Sequence, residues 1–435
     1  MKLQNIFKIK DEILLDRLEN LMPKLMEETN IQMYIVVGDE YNEGPVVKTM
    51  LPSSLFHARR KAILIFTMID GKYEKMVVSK PDFTIGTFYN PILLKPPGMN
   101  HEVFYKTFAK NYDIEKIKKM PIESEKDCIT RIIKEKNPTN IALEFSTLTP
   151  FADGISKTNY DYILTCIEDE FKDRVISAEK ISIRWLESRT LKEIEQYKKI
   201  VSLTRKIIGQ CYSKEVITPN VTTIGEARFF LMEEAMRNFG TPWFDATIWI
   251  NRDGKTHIED DTAVIMEGDL LHCDYGFELC GLCSDVQEMA YVKGKDDAKL
   301  IKELGKIHED AMIVQDSLAE CFVLGKTGNE ILASALALAK QRGVKRPMIY
   351  THPIGYHGHG AGPTIGNFGN QEFVGGMGEY ELHDNTFYAM ELNVCDEVKE
   401  WNNLMIMYGQ EIDIAVINGK VEFLGGRQIN LHIIE

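Results

Sequence analysis

The sequence predicts two domains: an α/β N-terminal domain over residues 1–178 and an α+β C-terminal domain over residues 179–435 built on a curved antiparallel sheet. Three observations predict it. Helix-period and strand-period segments alternate over roughly the first 175 residues, helices and strand-rich stretches segregate after that, and a capping box at Thr190 and Glu193 opens a long amphipathic helix where the regimes change. The boundary itself is expected between Val175 and Arg189.

The N-terminal elements follow from periodicity. Ile13, Leu14, Leu18, Leu21, Met22 and Leu25 recur at helical spacing from Asp11 to Glu28, and IQMYIVV from Ile31 reads as a buried strand. AILIFTMIDGKYEKMVV reads as a hairpin, with Asp70 and Gly71 supplying its positive-φ turn. A segment marked by Pro91, Pro96 and Pro97 follows, then a helix from Ser124 to Lys136, a strand NIALEF and a further strand YILTCI. This domain holds no cluster of His, Asp, Glu or Cys at ligand spacing, so its expected role is structural or substrate-gating.

In the C-terminal domain Ile194, Tyr197, Val201, Thr204, Ile208 and Cys211 line one face of the first helix, and a second capping box, Thr223 and Glu226, opens a helix stopping near Gly240. Helices over 297–324 and 329–342 end near Gly325 and Gly343.

Composition narrows the function classes. The 435 residues are 44% hydrophobic and 27% charged, an ordinary globular balance, and a net charge of -14 argues against nucleic acid or an anionic membrane as a partner. No apolar run reaches the roughly 18 residues that span a bilayer, and MKLQNIFKIKDEI lacks the apolar stretch of a signal peptide, so the expected location is cytoplasmic. Eight scattered cysteines fit reduced thiols. The CxxC of Cys280 and Cys283, without a second pair, reads as small hairpin residues.

Within HCDYGFELCGLCSDVQEMAYV, glycines at 276 and 281 break the apolar run into two antiparallel strands. Asp274 and Asp285 are equidistant from the midpoint between Leu279 and Cys280, so they are expected to face each other directly. Two facing carboxylates require a cation between them or a proton on one, unless both are solvated turn residues. Downstream stand THPIGYHGHGAGPTIG with His352, His357 and His359, YAMELNV with Glu391, and YGQEIDIAV with Glu411. Each lies in or beside a strand-like apolar run, where an unpaired charge is costly. Four carboxylates and one histidine offer more donors than one ion takes and suit two divalent cations, Mn first, with Co, Zn or Fe as alternatives. Two such ions about 4 Å apart generate hydroxide at neutral pH and clamp a tetrahedral transition state.

The order Asp, Asp, His, Glu, Glu in the contexts DYG, CSD, HGHGAG, MELN and QEIDI resembles the pita-bread metallopeptidases: aminopeptidase P, prolidase, methionine aminopeptidase and the metal-free creatinase. The resemblance covers the whole chain, since residues 1–178 look like the creatinase-type N-terminal domain. It implies a pita-bread catalytic domain over 179–435 and dinuclear hydrolysis, by a metal-bridging hydroxide, of the bond between an N-terminal residue and proline in a peptide substrate. It also implies a homodimer. Carried over by residue, Asp274 is a ligand of one metal, Asp285 and Glu411 are bridges, and His359 and Glu391 are ligands of the other. Glu391 also exchanges protons, and His257, with His352 or His357, stabilises the tetrahedral intermediate. His357 remains an alternative to His359 as ligand. His272, on the strand face of Asp274, is expected to support the site rather than bind metal. One departure stands out: where the family carries a further histidine, this chain reads PTIGNF with Gly366. Two rivals stay open: a metal-free creatinase-like C–N hydrolase, which predicts replaced ligands where all five are present, and a binding scaffold of the same fold with impaired turnover, which Gly366 favours.

Overall fold

The apolar run from Ile31 becomes β1 (Met33–Asp39), buried on both of its faces because it lies inside a six-stranded sheet. The computed structural model describes all residues except 1, 80–84, 95–97, 99, 101, 104–105, 107–113 and 120–121, so Pro96 and Pro97 lie outside the described residues. The other strands are β2 (Lys61–Ile69), β3 (Lys72–Ser79), β4 (Asn90–Leu93), β5 (Ile141–Leu143) and β6 (Val175–Ser177), in the order β4-β3-β2-β1-β5-β6. The β2–β3 hairpin turns at Asp70 and Gly71, whose φ values of 51° and 73° are those of the tight turn expected there. Met33, Ile35 and Val37 pack against Cys128, Ile129, Ile132 and Ile133 of the helix Glu125–Lys136.

YILTCI is not a strand. Tyr162–Cys166 lie in the helix Lys157–Cys166, with Ile167 as its C-cap, because the Ser156 side chain caps the Asn159 N–H and starts a helix through the segment. Ile163, Cys166 and Ile167, at helical spacing, then face the same core as β1. A short β-rich run cannot be told from a buried helix by composition when a cap lies just upstream. The N-terminal helix likewise starts earlier than Asp11: it covers Leu3–Asp16 and continues through a π-helical turn into Met22–Glu28.

Contacts divide the chain into two units, Phe7–Leu186 and Glu187–Glu435 with Met1–Ile6. In the second unit the capping boxes at Thr190/Glu193 and Thr223/Glu226 are both formed, opening the helices Leu191–Cys211 and Ile224–Arg237. Each such cap contributes about 1 kcal/mol. The helices Ala298–Cys321 and Gly328–Gln341 complete the set that the sequence pattern anticipated.

The sheet of this unit is a curved, mainly antiparallel half-barrel. Its strands are β7 (Thr247–Arg252), β8 (Thr256–Ile258), β9 (Leu270–Tyr275), β12 (Val286–Val292), β13 (Pro347–Ile349), β14 (His352–Pro353), β15 (Thr386–Val398), β16 (Leu404–Ile417), β17 (Lys420–Phe423) and β18 (His432–Ile434); β10 (Glu278–Leu279) and β11 (Leu282–Cys283) form a small separate ladder. The main path runs β13-β15-β16-β12-β9-β7-β8. Among the described residues, no helix is long and apolar enough to cross a membrane.

The hairpin between β9 and β12 corrects one expectation. Glu278 pairs with Cys283 and Tyr275 with Val286, so the turn residues are Cys280 and Gly281, at φ of 58° and 85°. Asp274 therefore faces Gln287 rather than Asp285. The turn sits one residue later than the symmetric placement because Cys280 takes up a left-handed conformation that the residue type does not advertise. The two aspartates nonetheless share a face, since Asp285 lies immediately before β12, two residues from Gln287.

Candidate metal centre

Strand register alone assembles a line of polar side chains across this sheet. Directly paired residues in antiparallel strands point to one face. Glu391 of β15 pairs with Glu411 of β16, Glu411 with Gln287 of β12, and Gln287 with Asp274 of β9. On the far side of Glu391, the pairings Ile349 to Leu392 and His352 to Ala389 put Tyr350 opposite it, and the Tyr350 N–H donates to the Glu391 carbonyl at 3.1 Å. A second line runs two residues along the strands. His352 is opposite Ala389, Ala389 is opposite Asp413, and an Asp413 Oδ2 accepts the backbone N–H of Asp285 at 3.0 Å.

Asp274, Asp285, Glu391 and Glu411 thus converge on one face, together with Asp413, which the sequence reading missed. The missing signal was available: Asp413 is two residues beyond Glu411, and strand alternation puts it on the same side. The histidine that joins them is His352. Its Nε2 is 3.5 Å from Glu411 Oε1 and 3.8 Å from Asp285 Oδ2, and these three side chains offer ligand atoms within 4.8 Å of one another. His359 stands behind it, with its ring 4.7 Å from that of His352 and 5.6 Å from Trp243, edge to face in both cases. His357 is in the same loop, its carbonyl accepting the Gly355 N–H. His257, on β8, is half exposed, with Nε2 2.6 Å from Glu259 Oε1 and its ring 4.8 Å from Trp249. His272 stacks on Trp249 and bonds through Nε2 to Gln287 Oε1 at 2.8 Å. Gln287 in turn donates to Glu391 Oε1 at 2.5 Å.

Electrostatically the cluster is an accumulation of acids without a basic partner. Burial pushes Asp274 up to about 6, and burial with the charge of Asp274 pushes Glu391 up to about 8. Asp285 and Glu411 are also held well above the ordinary carboxylate range, first by desolvation and then by the neighbouring acids. Asp413 is raised by burial, against which its bond from the Asp285 N–H acts. His352 is pulled down to about 4 by desolvation and by His359, so it is a neutral imidazole at pH 7 with a lone pair to give. Asp274 Oδ1, Asp285 Oδ1, Glu411 Oε1 and Asp413 Oδ1 are buried oxygens without a hydrogen-bond donor. Among the described residues no lysine or arginine contributes to these shifts. Buried carboxylates in this number stay ionised only beside cations, and oxygen-rich donors with one imidazole fit hard divalent ions.

Gly366 sits at φ 74°, and a Cβ there would lie 2.2 Å from the Ile349 carbonyl oxygen. The backbone has no room for the histidine whose absence the sequence flagged, so that position is a built turn and not a truncated side chain.

A family model described as metallopeptidase family M24 matches residues 195–417. A Mycoplasma genitalium protein named as an Xaa-Pro aminopeptidase is 28% identical over 119 residues, an overlap of 27% of this chain and 33% of that protein. The chain thus aligns with about a third of that relative's length. Among solved structures, an X-Pro aminopeptidase from Thermotoga maritima superposes with a TM-score of 0.61 at 15% identity, over 94% of this chain and 99% of the other. An Xaa-Pro dipeptidase from Bacillus anthracis gives 0.58 at 16% identity, over 97% and 99%. At these identities the likeness is one of fold.

Proposed function

This chain belongs to metallopeptidase family M24, and from that premise we propose that it is a metal-dependent exopeptidase that cleaves the bond between an N-terminal residue and proline. The observation that carries the reading is the convergence of Asp274, Asp285, Glu391, Glu411 and His352 on one sheet face, with buried oxygens lacking donors. These five residues would hold two divalent ions, manganese first. His352 replaces His359 as the imidazole ligand in this reading because it is His352 whose Nε2 lies 3.5 Å from Glu411. Divalent ions bound there supply Lewis acidity, polarising a carbonyl and making water a nucleophile near neutral pH.

The protein's own groups do the rest. Glu391 takes a proton from the attacking water and returns it to the departing amine. His359 and His257 serve as donors toward the carbonyl oxygen as it gains charge, and Trp243 and Trp249 fix their rings by edge and tilted contacts. The proline preference draws on the named relatives, Xaa-Pro enzymes by their descriptions. A metal-free amidine hydrolase would leave three buried acids, Asp285, Glu411 and Asp413, and the partly buried Asp274 and Glu391 without counter-ions, so the metallopeptidase reading is preferred over it. Activity after Mn2+ reconstitution, measured on paired Xaa-Pro and Xaa-Pro-Yaa substrates, tests the proposal. Cleavage of the dipeptide alone means a prolidase, and release of Xaa from the tripeptide means an aminopeptidase P. Absence of both activities with no bound divalent metal would end the reading.

A further inference from the structure

We propose that Gln287 is a positioning residue of this centre: held from behind by His272, its side-chain amide fixes the rotamer of Glu391 and keeps one Glu391 oxygen as a hydrogen-bond acceptor, leaving the other for a divalent ion. The inference rests on the metallopeptidase reading and deepens it.

Gln287 is the one uncharged member of the line Glu391, Glu411, Gln287, Asp274. A side chain there of the same sign would add to the repulsion, and an apolar one would give Glu391 nothing to orient on. The amide could present either its nitrogen or its oxygen to Glu391, and His272 decides which. His272 Nδ1 is buried with no partner, so a proton on that nitrogen would be a buried unsatisfied donor; the proton belongs on Nε2, 2.8 Å from Gln287 Oε1. With the amide oxygen committed to His272, the amide nitrogen faces Glu391 Oε1 at 2.5 Å. The imidazole ring is itself fixed by stacking on Trp249, with centroids 4.6 Å apart and planes 18° apart. Space for the His272 to Gln287 bond comes from Gly409, where a Cβ would stand 2.8 Å from His272 Nε2 and 3.1 Å from Gln287 Oε1. Four residues on four strands therefore serve one carboxylate. Supporting partners of this kind orient the groups that bind metal.

The test compares parent, Gln287→Leu, His272→Phe and the double variant in two readouts: Mn2+ affinity by paramagnetic resonance titration, and kcat and KM on an Xaa-Pro dipeptide. For Gln287→Leu the expected loss is about 10–100-fold in Mn2+ affinity and in kcat, with KM nearly unchanged. His272→Phe keeps the stack on Trp249 and loses the donor, so a smaller loss in the same readouts is expected. The double variant should be no worse than Gln287→Leu, because both changes break one chain of bonds; losses that multiply would mean two unrelated packing defects and would overturn the proposal. Parent-like affinity and kcat in Gln287→Leu would overturn it too. Should Gln287→Leu not fold, Gln287→Met takes its place with the same expectations. An active parent with unaffected variants sinks this inference alone, whereas a parent that binds no Mn2+ and cleaves no peptide sinks the metallopeptidase reading and this inference with it.

Discussion

Both units of the protein bury acid, and they do so in opposite ways. In the first unit Glu144 is fully buried and pushed up to about 7 by desolvation, yet its neighbours are neutral hydroxyls: Tyr34 donates to Oε1 at 2.7 Å and also contacts Ser182 at 3.0 Å. The buried Arg17 of that unit lies 4.2 Å over the Trp185 ring and donates to the Trp185 carbonyl. Glu144 and Arg17 are thus each met singly by nearby groups, with Glu144 Oε2 left without a donor, and the buried Arg184 is ion-paired with Glu28 at 2.6 Å. In the second unit five acids face one another, and the residues around them do not neutralise them. A lone buried acid given one hydroxyl by the fold is a structural detail, whereas a cluster of acids left for something else to neutralise is a site.

The largest effect that can break this contrast is on chemistry. Glu391→Ala should lower kcat on an Xaa-Pro dipeptide by about 10²–10⁴-fold, the range for loss of a general acid–base group, while the circular dichroism spectrum stays that of the parent. Next comes the choice between the histidines. His352→Ala should release bound divalent metal, seen in metal content after gel filtration, with activity down about 10–100-fold; His359→Ala should keep the metal and lose kcat. The reverse pattern would return the ligand role to His359. The smallest effect is on stability against pH, and its sign is set by proton uptake. Burial raises Asp274 to about 6 and Glu391 to about 8, so the metal-free folded chain binds more protons than the unfolded one in that range. That stability is fully present below about pH 4 and is lost as pH rises through 6 and then 8. With chelator, the calorimetric Tm should fall across this window, and Mn2+ at pH 8 should restore it. Glu144 has the same sign, but no metal rescues it. Glu144→Gln keeps an acceptor for Tyr34 and should raise Tm at pH 8 by a few degrees, with or without Mn2+.

The sequence made the acids legible because each stands in an alternating apolar run, where charge is conspicuous, and their relative order carried a family resemblance. Helix starts were legible for a similar reason: Thr190/Glu193 and Thr223/Glu226 encode their caps locally. Asp413 escaped although its signal was local, two residues beyond Glu411 in the same strand; the rest of what escaped was non-local or masked by residue type. Cys280 gives no warning that it will adopt φ 58°, so the hairpin register was misplaced and the partnership of Asp274 with Gln287 was invisible. His352 reaches the acids only through the shared register of β13 and β14 with β15, a relation between segments some forty residues apart that no local pattern states. YILTCI deceived in the other direction, since β-rich residues downstream of a serine cap follow the cap.

The pairing of Glu391 with Glu411 in mid-strand has a consequence for how the gene can change. Adding or deleting one codon in β15 or β16 on the hairpin side of this pair would shift the register and turn an acid to the opposite face; two codons would restore the parity. Length variants selected for function should therefore tolerate even changes within these strands better than odd ones, and should collect odd ones in the connecting loops.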